Sequence, residues 1–222
     1  MRLLKKFIKS RIMKTNSNNK FSVIINPFSR IAGFQALLIG FAFISATSVF
    51  AYIFGTHFNG LLDIKFGSTE VEYYVFLLYG IINISVVSIL FYAVGRIISK
   101  SRIRFIDVIG TQALARYPFI LAPFLNINTL SERAGTYIMY KFLNIGESVQ
   151  IENYELILAA VFMLIMLLLI VWMIALMYNA YSIACNVKGA NAVLSFIIVL
   201  FVAEIITLLI NSIFYKPDLM NI

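Results

Sequence analysis

Two ionisable residues stand inside stretches that are otherwise apolar: Arg116, within residues 108–125, and Glu204, within residues 190–214. A centrally placed arginine costs about 2.5–3.5 kcal/mol on membrane-insertion scales, so its side chain should face protein or a water-filled cavity and not lipid. Counted from Asp107, Arg116 lies roughly 14 Å deep, whereas Glu204 lies roughly 21 Å from Ala190. Long side chains can close that offset, which makes Glu204 the candidate partner of Arg116. Thr207 and Asn211 follow Glu204 on the same helical face, and Asn83 adds an amide in another apolar stretch. Such a polar centre supports two chemistries. It is either a substrate or proton path lined by Arg116, Glu204, Asn83 and Asn211, or an ion pair with interhelical hydrogen bonds that locks helices together.

The elements that would position these groups follow from composition. The chain is 61% hydrophobic and 13% charged, against a soluble norm of about 45–50% and about 25%. No charged side chain intervenes between Glu72 and Arg96, or between Glu155 and Lys188. A helix needs about 20 mostly apolar residues to cross roughly 30 Å of hydrocarbon, and these tracts supply them. Five spans are expected, at residues 31–54, 73–95, 108–125, 156–182 and 190–214, in an all-α polytopic bundle. The third contains Pro118 and Pro123 and is expected to be kinked, since proline removes a helical hydrogen bond. The organisation is then a basic arm (1–24), a membrane domain (25–215) and a short tail (216–222).

Charge outside the spans implies an orientation. The arm with Arg30 just beyond it, the loop after the second span and the turn after the fourth hold 13 of the 18 lysines and arginines. The positive-inside rule places these segments, and the amino terminus, in the cytoplasm, and five crossings put the carboxyl terminus outside. Lys5, Lys6, Lys9, Arg11, Arg96, Arg102 and Arg104 would contact an anionic inner leaflet. Leu3, Leu4, Phe7, Ile8 and Ile12 recur at helical spacing, so the arm reads as a surface-lying amphipathic helix or as a disordered basic tail. Met13 is an alternative start, and the first span is too long for the h-region of a cleaved signal peptide. In the long connection 126–155, residues 129–142 suit a short amphipathic helix with Leu130, Ala134, Ile138 and Phe142 on one face. Asp107 reads as a helix cap or as a partner of Arg104.

Other chemistries lack their residues. A lone Cys185 and a lone His57 exclude an intramolecular disulfide and a zinc cage within one chain. There is no Ser-centred nucleophile elbow, phosphate-binding glycine loop or His-Glu zinc helix, so neither an enzyme nor a cofactor is expected. The net charge of +8 belongs to membrane orientation, and nucleic acid is not an expected partner. Small residues at Ala32, Ala36 and Gly40, and at Gly80, Ser88 and Gly95, allow close helix approach. Met163, Met166, Met173 and Met177 read as packing filler.

Three segments carry a family likeness. They are Ile25-Asn26-Pro27-Phe28, the step from Gly95-Arg96 to Arg104 followed by Asp107 through Pro118, and the stretch from Tyr178 through Asn186 and Gly189 to Ala192. Together they resemble the Yip1 domain family, particularly its bacterial branch, over residues 25–214. The resemblance implies a non-enzymatic five-helix protein of a bacterial cytoplasmic membrane that organises membranes or binds proteins, with a membrane-protein partner or a second copy of itself. Small GTPases are partners by analogy with eukaryotic members alone. The reading from a different class is a small transporter, permease subunit or lipid-handling protein with its path through Arg116 and Glu204.

Overall fold

The computed structural model describes residues 26–67, 71–146 and 148–214. The basic arm, with Lys5, Lys6, Lys9 and Arg11, lies outside the described residues, as does the tail 216–222. After a 3-10 turn at Pro27–Ser29 come α1 (Gly33–Phe54), a two-stranded hairpin of β1 (Thr56–His57) and β2 (Lys65–Phe66), and α2 (Tyr73–Ile98). Then follow α3 (Phe105–Ala115), a 3-10 segment (Tyr117–Thr129), α4 (Leu130–Leu143), α5 (Asn153–Ala184) and α6 (Ala190–Phe214). Among the described residues five helical segments are long and apolar enough to cross a membrane: α1, α2, the run from Phe105 to Leu143, α5 and α6. The chain is a predominantly helical integral membrane protein.

Helices α5 and α6 are apolar around most of their circumference. Leu164, Leu168 and Val171 on α5, and Phe201, Ile205 and Leu209 on α6, are all more than half exposed. In water this would be an aggregation surface, whereas in lipid it is the expected outer coat of a bundle. The third segment is the inverse. Most of its residues over 108–125 are buried, and it packs against α1, α2 and α5. Its polar and proline residues are tolerated because protein, not lipid, surrounds them.

Where a kinked helix over 108–125 is expected, regular α-helix covers Phe105–Ala115 and gives way to the 3-10 segment. Pro118 and Pro123 have no amide hydrogen to offer that segment. The departure from helical torsions falls beyond both, at Asn126, Ile127 and Asn128. Helix α4 occupies the place anticipated for a short amphipathic helix. Leu130 and Ala134 are buried there, but Ile138 and Phe142 are exposed, Phe142 to 73%, so the apolar stripe is used only over its first turn or so. Asp107 pairs with Arg104 at 3.3 Å.

Close backbone approach holds α1 to α3. A Cβ at Gly40 would lie 2.5 Å from the backbone of Ala113 and Leu114, so only glycine fits without a shift. Ala36 is buried beside it, while Ala32 is exposed and does not extend the contact. At the end of the bundle that carries Arg96 and Lys188, the rings of Phe91, Tyr181 and Phe196 join α2, α5 and α6, with centroids 4.6 and 5.4 Å apart from Phe91. Tyr181 also shares a 2.9 Å hydrogen bond with Ser195 of α6, and the Gln112 amide donates to the Met177 carbonyl at 3.1 Å, tying α3 to α5.

Gly40→Ala is expected to cost about 1–3 kcal/mol by overpacking the α1–α3 contact. Gly135→Ala, at a helical position with open space around it, is expected to be neutral or to stabilise by up to about 1 kcal/mol. Thermal unfolding of both variants in the same detergent checks the contrast.

Candidate functional site

The hairpin β1–β2 pairs Thr56 with Phe66 and His57 with Lys65. It thereby closes a loop, residues 58–64, whose apolar members Phe58 and Leu61 are buried at 8% and 0% exposure. The loop turns into the bundle and does not stand away from it. Buried backbone without a helix or strand partner leaves its carbonyls and amides unsatisfied, at about 1–3 kcal/mol for each orphaned group. Side chains of three helices meet them.

Four consecutive carbonyls are capped by donors. Asn83 Nδ2, from α2, donates to Phe58 O at 3.1 Å and to Gly60 O at 2.8 Å. Asn211 Nδ2, from α6, donates to Asn59 O at 2.6 Å and to Asn83 Oδ1 at 3.0 Å, so the two amides brace each other. Arg116 Nη2, where α3 ends, donates to Leu61 O at 3.0 Å. The next two groups are amides, and a carboxylate takes both: Leu62 N donates to Glu204 Oε2 at 2.8 Å and Asp63 N to Glu204 Oε1 at 3.1 Å. A Cβ at position 60 would lie 2.5 Å from Glu204 Oε1, so a larger residue there would displace the carboxylate from its place on the loop. The order of partners follows the order of main-chain groups, with donors along the carbonyl run and an acceptor at the amide pair.

Arg116, Glu204, Asn83 and Asn211 are thus brought together, but not as a direct ion pair. Arg116 and Glu204 have no contact within ion-pair distance; each holds a different backbone group of the same loop, and the Glu204 charge acts on the guanidinium at longer range. The expected pairing is therefore corrected: desolvated main chain satisfies each charge with hydrogen bonds that a single salt bridge between them would not supply. Thr207 is fully buried on the same face, yet its hydroxyl returns to Glu204 O of its own helix at 3.0 Å. It contributes packing and leaves the loop to its neighbours.

A third amide does related work beside the loop. Asn126 Nδ2 donates to Phe54 O, at the carboxyl end of α1, at 2.7 Å, while Asn126 Oδ1 accepts from the Glu132 amide in the first turn of α4 at 3.3 Å. Neither Asn126 nor Asn59 stands out in the sequence. The signal that was available is the composition of 58–64, where an Asn-Gly turn pair lies among Phe58, Leu61, Leu62 and Ile64; apolar residues in a supposed surface loop point to burial. Arg96, Arg102 and Arg104 are exposed at the opposite end of the bundle, with Arg96 over the Tyr92 ring.

A cavity of about 30 Å³ reaches Arg116 from between α1 and α2. It is water-sized, not lipid-sized. His57, at the base of the loop, is 1% exposed, its ring lies 4.7 Å from that of Phe76, and its Nε2 donates to Gly67 O at 3.3 Å. Burial, aided by the Lys65 charge and opposed by the Gly67 carbonyl, holds the imidazole below its ordinary value of 6.5.

No protein-family model matches the chain, and neither a curated protein nor a solved structure matches it significantly.

Two outcomes follow from the site. Arg116→Glu and Glu204→Arg should each lower stability, on the order of 1–3 kcal/mol, and the double exchange should not recover it. The exchange sets a carboxylate against the Leu61 carbonyl and a guanidinium against two amides. Partial recovery in detergent melts would mean that direct pairing governs. For His57, the unfolded chain gains a proton near 6.5 while the folded protein resists it, so this residue removes stability as pH falls below 6.5 and contributes no slope above it. Comparing denaturation at about pH 7.5 and about pH 5.5 should show a smaller acid loss in His57→Gln than in the parent protein.

Proposed function

We propose that the chain is a non-enzymatic multi-pass membrane protein of the Yip1 type, acting as a membrane-organising or protein-interaction component. One observation carries this reading: the amide and ionisable side chains of the polar centre are engaged with the main chain of residues 58–63. Groups committed to structural hydrogen bonds favour a lock over a path. The surfaces that remain for interaction are then the two ends of the bundle and its lipid-facing coat.

The charge distribution supports a cytoplasmic amino terminus and an external carboxyl terminus, and the family resemblance supports a bacterial cytoplasmic membrane. In that orientation the exposed Arg96, Arg102 and Arg104 face the anionic inner leaflet, and the loop that carries them is the surface for a membrane-protein partner or a second copy of the chain. A small GTPase partner rests on family analogy alone.

A photo-crosslinker placed at Arg102 in native membranes is expected to give a discrete protein adduct, and purified protein in liposomes is expected to give no solute flux above empty vesicles. Flux that disappears in Glu204→Gln would overturn the proposal and assign the polar centre to transport.

A further inference from the structure

Arg116 is 6% exposed, and its two terminal nitrogens are unequally served. Nη2 donates to Leu61 O, whereas Nη1 is buried without a hydrogen-bond partner among the described residues. The cavity of about 30 Å³ lies beside this side chain, walled by Thr47 and Ser48 of α1, Gly80 and Asn83 of α2, and the Phe58 and Phe119 rings. A space of about 10–15 Å³ by this measure already accommodates one water, while a lipid headgroup or organic solute needs far more.

The hydrogens around the cavity decide between the small occupants. Thr47 Oγ1 gives its hydrogen to Phe43 O at 2.8 Å, and Ser48 Oγ gives its own to Ile44 O at 2.9 Å, with Phe76 O as the alternative at 3.3 Å. Both hydrogens of Asn83 Nδ2 are committed to Phe58 O and Gly60 O. Arg116 Nη1 is a buried donor without a partner among the described residues, and it shares the cavity with hydroxyl oxygens that keep lone pairs to accept with. An anion such as a halide needs several converging donors and would meet those lone pairs. A molecule that accepts once and donates once or twice matches the set.

We infer that one water molecule occupies this cavity, accepting from Arg116 Nη1 and donating to the hydroxyl oxygen of Thr47 or Ser48. The water satisfies the remaining buried donor of the guanidinium and ties α1 to the polar centre, to which α1 otherwise gives no direct side-chain hydrogen bond among the described residues. This inference concerns the hydrogen bonds of Arg116 and stands apart from the functional reading; it survives if the crosslinking experiment fails.

The test is a structure of the unaltered protein in lipid, at a resolution where ordered waters are visible, with a parallel bromide soak read by anomalous diffraction. The expected result is a single peak within hydrogen-bond distance of Arg116 Nη1 and of Thr47 or Ser48 Oγ, with no anomalous signal after bromide. An anomalous peak at that position would make it an anion site and overturn the inference. An empty, dry cavity would overturn it equally.

Discussion

Main-chain polar groups that leave water without entering a helix or a sheet must be met one by one, and the amide and ionisable side chains of this protein's polar centre answer to that demand. Residues 58–63 run through the bundle with four carbonyls and two amides in sequence, and Asn83, Asn211, Arg116 and Glu204 face them in matching order. In lipid, no such backbone could be exposed; it is tolerated because protein surrounds it. The cost of placing an arginine and a glutamate at depth is offset by groups that would otherwise be orphaned there. Polarity in the loop and polarity in the helices are each unfavourable alone and complementary together.

The same demand accounts for the unusual third segment. Residues 117–129 are 3-10 and not α-helical, and they pass through non-helical torsions at Asn126–Asn128 before α4 begins. That irregularity follows a segment packed against α1, α4 and α5; Ile127 and Asn128 are exposed there, while the buried Asn126 bonds main-chain groups of α1 and α4. Ending α3 at Ala115 also places Arg116 at a helix terminus, where its side chain can turn toward Leu61. The outward faces of α5 and α6 are apolar and meet lipid, while Glu204 and Asn211 of α6 turn inward to the loop.

These arrangements bear on function through commitment of groups. A carboxylate fixed by two amides, and a guanidinium fixed by a carbonyl, are poorly placed to hand an ion or proton across a bilayer. A scaffold has the opposite requirement, a rigid interior that presents constant surfaces, and the braced amides of Asn83 and Asn211 supply rigidity at the point where three helices and the loop converge.

Length and apolarity alone located the spans: residues 73–95 and 190–214 were expected, and α2 and α6 occupy Tyr73–Ile98 and Ala190–Phe214. The insertion cost of charge singled out Arg116 and Glu204, and helical spacing added Asn211, because these are properties of single side chains and their period. What each side chain holds was decided only in three dimensions. The partners of Arg116, Glu204, Asn83 and Asn211 are carbonyls and amides of residues 58–63, and every residue carries those groups, so no side-chain type advertises them. Only the folding of that loop into the bundle turned a supposed ion pair into two separate grips on one strand of backbone.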